Sequence, residues 1–260
     1  MLPRLTLKPH KEKPILQHHP WIFSGAIARV ENANAGDTID IFDAAGKFLA
    51  RGYYNSRSQI AARVWTWNDE EISRDFLRAR LERALNARDA RIDRNATNAY
   101  RLVNAESDGL PGLIVDRYAD FAVIQFLTLG IEKHKPEIAE LVWELLQPRG
   151  IFERSDADVR EKEGLQSRVG VLRGEEPPAR VEIRENNFRF LVDVKRGHKT
   201  GFYLDQRENR ARVRPLLTPL TPLSSPIGEE RGEKGVSGEV SILNAFSYTG
   251  AFAVYIAAQN

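Results

Sequence analysis

The first stretch with a clear period lies at residues 37–42. Apolar and polar positions alternate through Thr38, Ile39, Asp40, Ile41 and Phe42, the period of two of a half-buried strand. Residues 43–46, Asp-Ala-Ala-Gly, read as a turn. Residues 47–54 and 59–65 read as further strands around a polar turn at 55–58, so residues 1–70 are expected to be all-β. The period then changes. Ile72, Phe76, Leu77, Leu81, Ala84 and Leu85 recur at helical spacing, with Asp69 or Ser73 as a cap. The arginines between them read as a solvated, salt-bridged face. Two apolar runs, 112–118 and 121–127, flank Ala119 and Asp120 and predict a hairpin. A second helix is predicted over 136–147, started by Pro136, striped by Ile138, Leu141, Val142 and Leu145, and stopped at 148–150. Runs at 180–185 and 188–194 around Asn186 and Asn187 predict a second tight hairpin. Residues 215–239 lose all periodicity and mix proline, serine and glycine, so a disordered insertion is expected there. Beyond it, 240–243 reads as a buried strand, 244–250 as a small polar turn and 251–258 as a helix.

Composition changes this picture mainly by exclusion. A hydrophobic fraction of 42% with 28% charged residues fits a soluble globular protein. No apolar run approaches the roughly 18 residues of a membrane span, and the N-terminus lacks a signal-peptide core, so no membrane and a cytoplasmic location are expected. The sequence has no cysteine, which excludes disulfides, thiolate metal sites and a cysteine nucleophile within these 260 residues. A formal charge of +2 does not by itself point to nucleic acid, so the distribution of charge matters more. Between Lys195 and Arg214 seven cationic residues face two acids. Near the N-terminus cations and aromatics interleave: Lys8, Lys11, Lys13, Trp21, Arg51, Tyr54 and Arg57. Cations neutralise phosphates and aromatic faces stack unpaired bases. The same residues also fit a solvated β-surface over core aromatics. His18 and His19 lack further ligands at metal spacing, and no metal site is expected. Asp156, Asp158, Arg160, Glu161 and Glu163 read as a charge-rich loop with no catalytic logic.

The turn at 244–250 is the strongest chemical candidate. Asn244, Phe246, Ser247, Tyr248, Thr249 and Gly250 sit between a predicted strand and a helix N-terminus, where free N–H groups and the helix dipole favour a ligand. Only one glycine of the G-x-G-x-x-G fingerprint is present, which argues against a dinucleotide. A cofactor without a pyrophosphate, such as S-adenosylmethionine, tolerates bulkier residues there. A plain strand–turn–helix with a packing glycine fits the same residues.

Several segments bear on this choice together. They are residues 199–207, Lys-Thr-Gly-Phe-Tyr-Leu-Asp-Gln-Arg, and 243–252, Leu-Asn-Ala-Phe-Ser-Tyr-Thr-Gly-Ala-Phe. Residues 19–27, His-Pro-Trp-Ile-Phe-Ser-Gly-Ala-Ile, and 50–55, Ala-Arg-Gly-Tyr-Tyr-Asn, join them. Through them the chain resembles a bacterial family of class I S-adenosylmethionine-dependent methyltransferases that modify carbon 5 of cytosine in 23S ribosomal RNA. The resemblance covers nearly the whole chain outside 215–239. It implies a multidomain fold: a β-barrel-like PUA module over 1–70, an α+β middle domain over 71–180, and an incomplete α/β Rossmann-like methyltransferase domain over 181–260. It implies that Lys199, Thr200, Gly201, Phe202, Asp205, Gln206 and Arg207 border the cofactor and target base, and that 244–250 is the first cofactor loop. Expected RNA contacts are Lys8, Lys11, Lys13, Trp21, Arg51, Tyr54, Arg57, Lys195 and Arg196. Ribosomal RNA is the expected partner, and a homodimer is left open.

The family pattern continues beyond position 260, with an acidic residue that grips the cofactor ribose, an Asp-Pro-Pro motif and a nucleophilic cysteine. The expectation is therefore a C-terminally truncated chain with no catalytic residue of its own, inactive alone in methyl transfer. A non-catalytic RNA-binding protein that keeps the PUA-like module is the alternative. A nucleotide-dependent oxidoreductase is disfavoured by the missing glycines.

Overall fold

The computed structural model describes residues 2–216 and residue 251. The expected strand at 240–243 and turn at 244–250 lie outside them. So does the expected insertion at 215–239, apart from its first two residues, which end a helix.

The N-terminal unit is a six-stranded sheet. Its strands are β1 (Arg4–Leu7), β2 (Trp21–Ile22), β3 (Ile27–Glu31), β4 (Thr38–Phe42), β5 (Phe48–Tyr54) and β6 (Ala62–Thr66), in the order β2-β6-β5-β4-β1-β3. All pairings are antiparallel except β1 with β4. A short helix, α1 (Lys13–Leu16), places Ile15 in the core. Ile22 on one end strand shares one apolar cluster with Leu5 and Leu7 next to the other end. The strong right-handed twist of strands curls such a ladder around a single core. β-Branched residues at alternate positions fill it: Ile39 and Ile41 point inward, while Thr38, Asp40 and Phe42 are half-buried.

Helix α2 (Arg74–Asp89) follows, capped by Ser73, whose hydroxyl accepts from the Phe76 N–H at 3.3 Å. The second sheet holds β7 (Ala99–Asn104), β8 (Leu113–Tyr118), β9 (Phe121–Phe126), β10 (Gly150–Ser155) and β11 (Arg168–Gly174), in the order β11-β10-β9-β8-β7. Ala119 and Asp120 form the turn of the β8–β9 hairpin, with Ala119 at positive φ. Two helices, α3 (Leu129–Lys133) and α4 (Lys135–Leu146), lie between β9 and β10, the parallel pair of this sheet, because a parallel connection needs a crossover. α4 runs as expected, with Pro136 in its first turn.

The period of two divides this sheet between two cores. On β8 and β9, Leu113, Val115, Ala122, Ile124 and Phe126 face α2 and α4, whereas Tyr118, Phe121 and Val123 face the other way. That second face is covered by a hairpin of β12 (Val181–Glu185) and β13 (Phe188–Val192), through Val181, Ile183, Phe190 and Val192. Asn186 and Asn187 form its turn, both at positive φ, as a two-residue type I′ hairpin requires. Phe202, Ala251 (helical and buried) and the half-buried Ala211 complete this cluster. Ala211 belongs to α6 (Arg207–Leu216). The hairpin expected to open the third domain is thus packed on the sheet of the middle one.

The two sheets are locked together by buried charge. The expected charge-rich loop at 156–163 instead contains a helical turn, α5 (Val159–Lys162), and two buried ions. Glu163 accepts from Asn55 Nδ2 at 2.9 Å, Ser58 Oγ at 2.8 Å and Arg63 Nη2 at 3.0 Å. Arg160 braces the second unit internally, donating to the Phe126 carbonyl and to Glu132, at 2.8 Å from the latter. Tyr53 and Trp65 of the first sheet also enter the core of the second. Burying a charge costs several kcal/mol unless it is fully partnered, and these are partnered by chain far away in sequence.

Candidate functional site

The segment 193–207 is tightly built. Asp193 Oδ1 accepts from the Lys195 and Arg196 N–H groups at 3.0 and 2.9 Å, an Asx turn that starts the loop. Gly197 must be glycine, since a Cβ there would lie 2.3 Å from the Asp193 carbonyl oxygen. Lys199 and Gly201 both have positive φ.

One chain of hydrogen bonds fixes this loop to the middle sheet. Asp116 on β8 is fully buried. Its carboxylate accepts from Thr200 Oγ1 and from Arg101 Nε and Nη2, the latter two at 2.8 and 3.0 Å. Because Thr200 donates there, Tyr118 donates to Thr200 Oγ1 at 2.9 Å and accepts from the Phe202 N–H at 3.1 Å. Burial beside the Asp116 carboxylate pushes the Tyr118 hydroxyl well above its ordinary pKa and keeps it protonated. Arg154 on β10 holds the loop's other end, donating to the Val194 and Gly197 carbonyls at 3.0 and 3.1 Å. Arg210 lies on Glu185 of β12 at 2.7 and 2.6 Å, with its guanidinium 4.7 Å from the Phe202 ring centroid.

The seven expected cofactor-bordering residues of this segment therefore divide by role. Thr200 and Phe202 point inward and anchor the loop. Gly201 is buried as well. Lys199, Asp205, Gln206 and Arg207 face outward to varying degrees. Lys199 Nζ lies 3.1 Å from Asp205 Oδ1 and 4.5 Å from the Tyr203 ring centroid. Partial burial raises the Asp205 carboxyl, but the Lys199 ammonium outweighs it and holds the group below its ordinary value. Arg207 meets Glu208 at 3.2 Å. Asn244, Phe246, Ser247, Tyr248, Thr249 and Gly250 lie outside the described residues.

The expected RNA contacts fall into two groups. Lys11, Lys13, Arg57 and Arg196 are solvent-facing and enter no ion pair among the described residues. Lys8 is also exposed and donates to the Gly25 carbonyl at 3.0 Å. Trp21, half-buried, donates to Glu106 at 2.9 Å and shares a cavity of about 230 Å³ with Lys11, His19 and the exposed Phe23. Tyr54 packs against the first core, and Lys195 pairs with Glu176 at 3.0 Å. Arg51 departs from the expectation. It is buried, and its guanidinium is taken up by Asp40 at 2.6 Å, Asp69 at 2.7 Å and the Glu70 carbonyl at 2.5 Å. All three of its nitrogens are engaged in holding the sheet.

Asp116, Tyr118, Arg101 and Arg154 were missed from sequence. The one available signal was an aspartate inside the apolar run 112–118, a place where an unpaired carboxylate is not tolerated. No group of three or more metal-ligating side chains occurs among the described residues.

Residues 5–67 match the PUA-like domain family. Across the rest of the chain the architecture is that of two solved structures. One, assigned as a SAM-dependent methyltransferase from Streptococcus mutans, is 22% identical, with a TM-score of 0.75 over 99% of this chain and 60% of that one. The other, assigned as a methyltransferase complexed with SAH, is 21% identical with a TM-score of 0.76 and the same coverage. These likenesses establish the fold alone: a PUA-like domain followed by the middle sheet and its hairpin.

In sequence the chain is similar to the ribosomal RNA large subunit methyltransferase I of Alteromonas mediterranea, 41% identical over 98% of this chain and 59% of that protein. It is 44% identical to the protein of the same name from Yersinia pseudotuberculosis, over 98% of this chain and 60% of that one. The chain thus spans about three-fifths of the length of the curated relatives it matches.

Proposed function

We propose that these residues are the RNA-gripping and cofactor-approaching part of an S-adenosylmethionine-dependent ribosomal RNA methyltransferase. The observation that carries the reading is identity above 40% to large-subunit rRNA methyltransferases over 98% of the chain. In this reading the PUA-like unit and the exposed Lys8, Lys11, Lys13, Arg57 and Arg196 hold RNA phosphates in the cytoplasm. The target is carbon 5 of a cytosine in 23S rRNA.

The outward residues of 199–207 fit the cofactor chemically. S-adenosylmethionine presents a carboxylate and an ammonium at one end, and the Lys199–Asp205 pair presents the opposite charges side by side. Gln206, donating to Asp205 at 3.4 Å, adds an amide for the ribose. When bound, the cofactor supplies an electrophilic methyl group on a sulfonium. The chain's own residues bind and orient: the Asp116–Thr200–Tyr118 linkage sets where Lys199 and Asp205 stand relative to the RNA-holding sheets. Carbon 5 of cytosine becomes nucleophilic once a thiolate adds to carbon 6, and these 260 residues hold no cysteine. The chain on its own is accordingly read as binding without turnover.

The test is fluorescence anisotropy of the purified chain with a labelled 23S rRNA fragment across a salt series. Replacing Lys8, Lys11 and Lys13 with glutamine is expected to weaken binding and to flatten the slope of log K against log salt by about 2, since each lost phosphate contact removes roughly 0.7–0.9. An unchanged slope sinks the phosphate-contact reading. Label transfer from S-adenosylmethionine to RNA by the chain alone would overturn its assignment as non-catalytic.

A further inference from the structure

A cationic cavity, separate in its lining from that of Trp21, lies at the seam between the middle sheet and its hairpin. It encloses about 380 Å³ at the start of β7, the end of β8 and the end of β12. Arg94, Arg117 and Arg184 line it, against a single carboxylate, that of Asp120. Its floor is set by side chains bonded to the main chain of Arg184. Asn98 Oδ1 accepts from the Arg184 N–H at 2.7 Å, and Thr97 Oγ1 donates to the Arg184 carbonyl at 3.0 Å. Arg117 Nε is held by the Ala119 carbonyl at 2.9 Å, and neither Arg117 nor Arg184 enters an ion pair among the described residues. Arg94 pairs with Asp89 and lies 3.9 Å from the Tyr100 ring centroid.

Tyr100 supplies an independent observation. It lines the cavity, is 2% exposed, and its hydroxyl has no hydrogen-bond partner. Arg94 covers the face of the ring, its guanidinium carbon 3.9 Å from the centroid. Buried hydroxyls are nearly always paired, and an orphan in a polar cavity marks a place for a ligand atom. Converging guanidinium groups with a buried O–H donor are complementary to a tetrahedral oxyanion. The ring face being covered, nothing in the lining offers to stack a base.

We propose that this seam is a phosphate site that takes one backbone phosphodiester of the RNA substrate, independently of sequence. Arg117 and Arg184 neutralise it and the Tyr100 hydroxyl donates to it. The proposal rests on the RNA reading above and adds to it a second anchor, on the hairpin that carries the 193–207 loop. An RNA held there and on the PUA-like unit would span both sheets.

The experiment pairs Arg117→Gln with Arg184→Gln in the full chain and uses an abasic-rich single-stranded RNA in the same salt series. The slope of log K against log salt is expected to flatten by about 1–1.5, with a roughly tenfold loss of affinity near 150 mM salt. Tyr100→Phe, which removes only the hydroxyl, is expected to lose a few-fold. Arg189→Gln serves as control. Arg189 is on the neighbouring strand, paired with Glu182 at 2.5 Å and outside the cavity, and should leave the slope unchanged. Inorganic phosphate is titrated in parallel by calorimetry. An unchanged RNA slope in the double variant overturns the proposal, even where the Lys8, Lys11 and Lys13 variant still confirms RNA binding. Phosphate binding that the double variant abolishes, with the RNA slope unchanged, assigns the cavity to a small free anion instead. A wild-type chain that fails to bind RNA overturns both readings.

Discussion

Removing the Glu163 carboxylate should cost more than any other single change at the junction of the two sheets. Glu163 is 1% exposed and Arg63 only 6%. The carboxylate accepts from Asn55, Ser58 and Arg63 on the first unit, and from the Leu129 N–H of the second at 3.4 Å. In Glu163→Ala, Arg63 keeps only Glu106 at 3.2 Å and becomes a half-partnered buried cation. Breaking a buried pair in this way costs about 3–5 kcal/mol. For a body of this size that corresponds to a fall in Tm of roughly 6–20 °C. Glu163→Gln is expected to cost less but not to rescue, about 1.5–3 kcal/mol. Whichever oxygen becomes an NH2 must face a donor: Arg63 on one side, the Leu129 N–H on the other. Urea unfolding followed by tryptophan fluorescence reports this directly, because Trp65 is buried at the junction, 5.7 Å from the Tyr53 ring. Far-UV circular dichroism on the same samples shows whether both sheets unfold together. A loss below about 1 kcal/mol in Glu163→Ala would refute the claim that this carboxylate locks the two units.

Two further outcomes follow from the same reasoning. Thr200→Val keeps the shape but leaves Asp116 and Tyr118 short of a partner, for an expected loss of about 1–3 kcal/mol in urea midpoints, while Thr200→Ser should behave like the parent; equal stability of all three would mean the hydrogen-bond chain does not hold the loop. Asp37 and Lys133 join the PUA-like unit to α3 at 2.8 Å, and the Lys133 ammonium together with the Asn34 N–H holds the Asp37 carboxyl below its ordinary value. A lowered folded pKa stabilises above the unfolded value and is lost as pH falls through the folded one. Melting curves from about pH 6 to pH 3 should therefore drop less steeply for Asp37→Asn than for the parent, and parallel curves would count against the contact.

Local order was legible where one signal sufficed. The Ser73 cap, the apolar stripes of α2 and α4, and the turns at Ala119–Asp120 and Asn186–Asn187 all depend on neighbours in sequence, and the structure has them where the pattern places them. Strands β10 and β11 were not legible. Glu153 and Arg154 interrupt the expected pattern, yet both are buried, because Lys135 meets Glu153 at 2.7 Å and the 193–197 loop takes up Arg154. The same reason hid Glu163, Arg160 and Asp116. A charge reads as solvated unless its partner is known, and these partners come from remote parts of the chain. The inward turn of Thr200 and Phe202 was hidden likewise, since the motif at 199–207 carries no mark of which side faces the sheet. Arg51 shows the converse: a cation beside aromatics reads as an RNA contact from sequence, and nothing local announces the two carboxylates that the fold sets beside it.

The middle sheet is covered on both faces, and this decides where the protein can be cut. A fragment that stops near residue 180 keeps the five strands but strips the hairpin from Ala99, Tyr118, Phe121 and Val123. It would present a flat apolar face with Asp116 stranded beside it, a surface that invites edge and face association rather than independent folding. The smallest piece fit for study on its own therefore keeps the hairpin, the 193–207 loop and the start of α6, whose Arg210 neutralises the buried Glu185. For the same reason, the hairpin cannot be exchanged between homologous proteins without the sheet beneath it; the two are one unit of design.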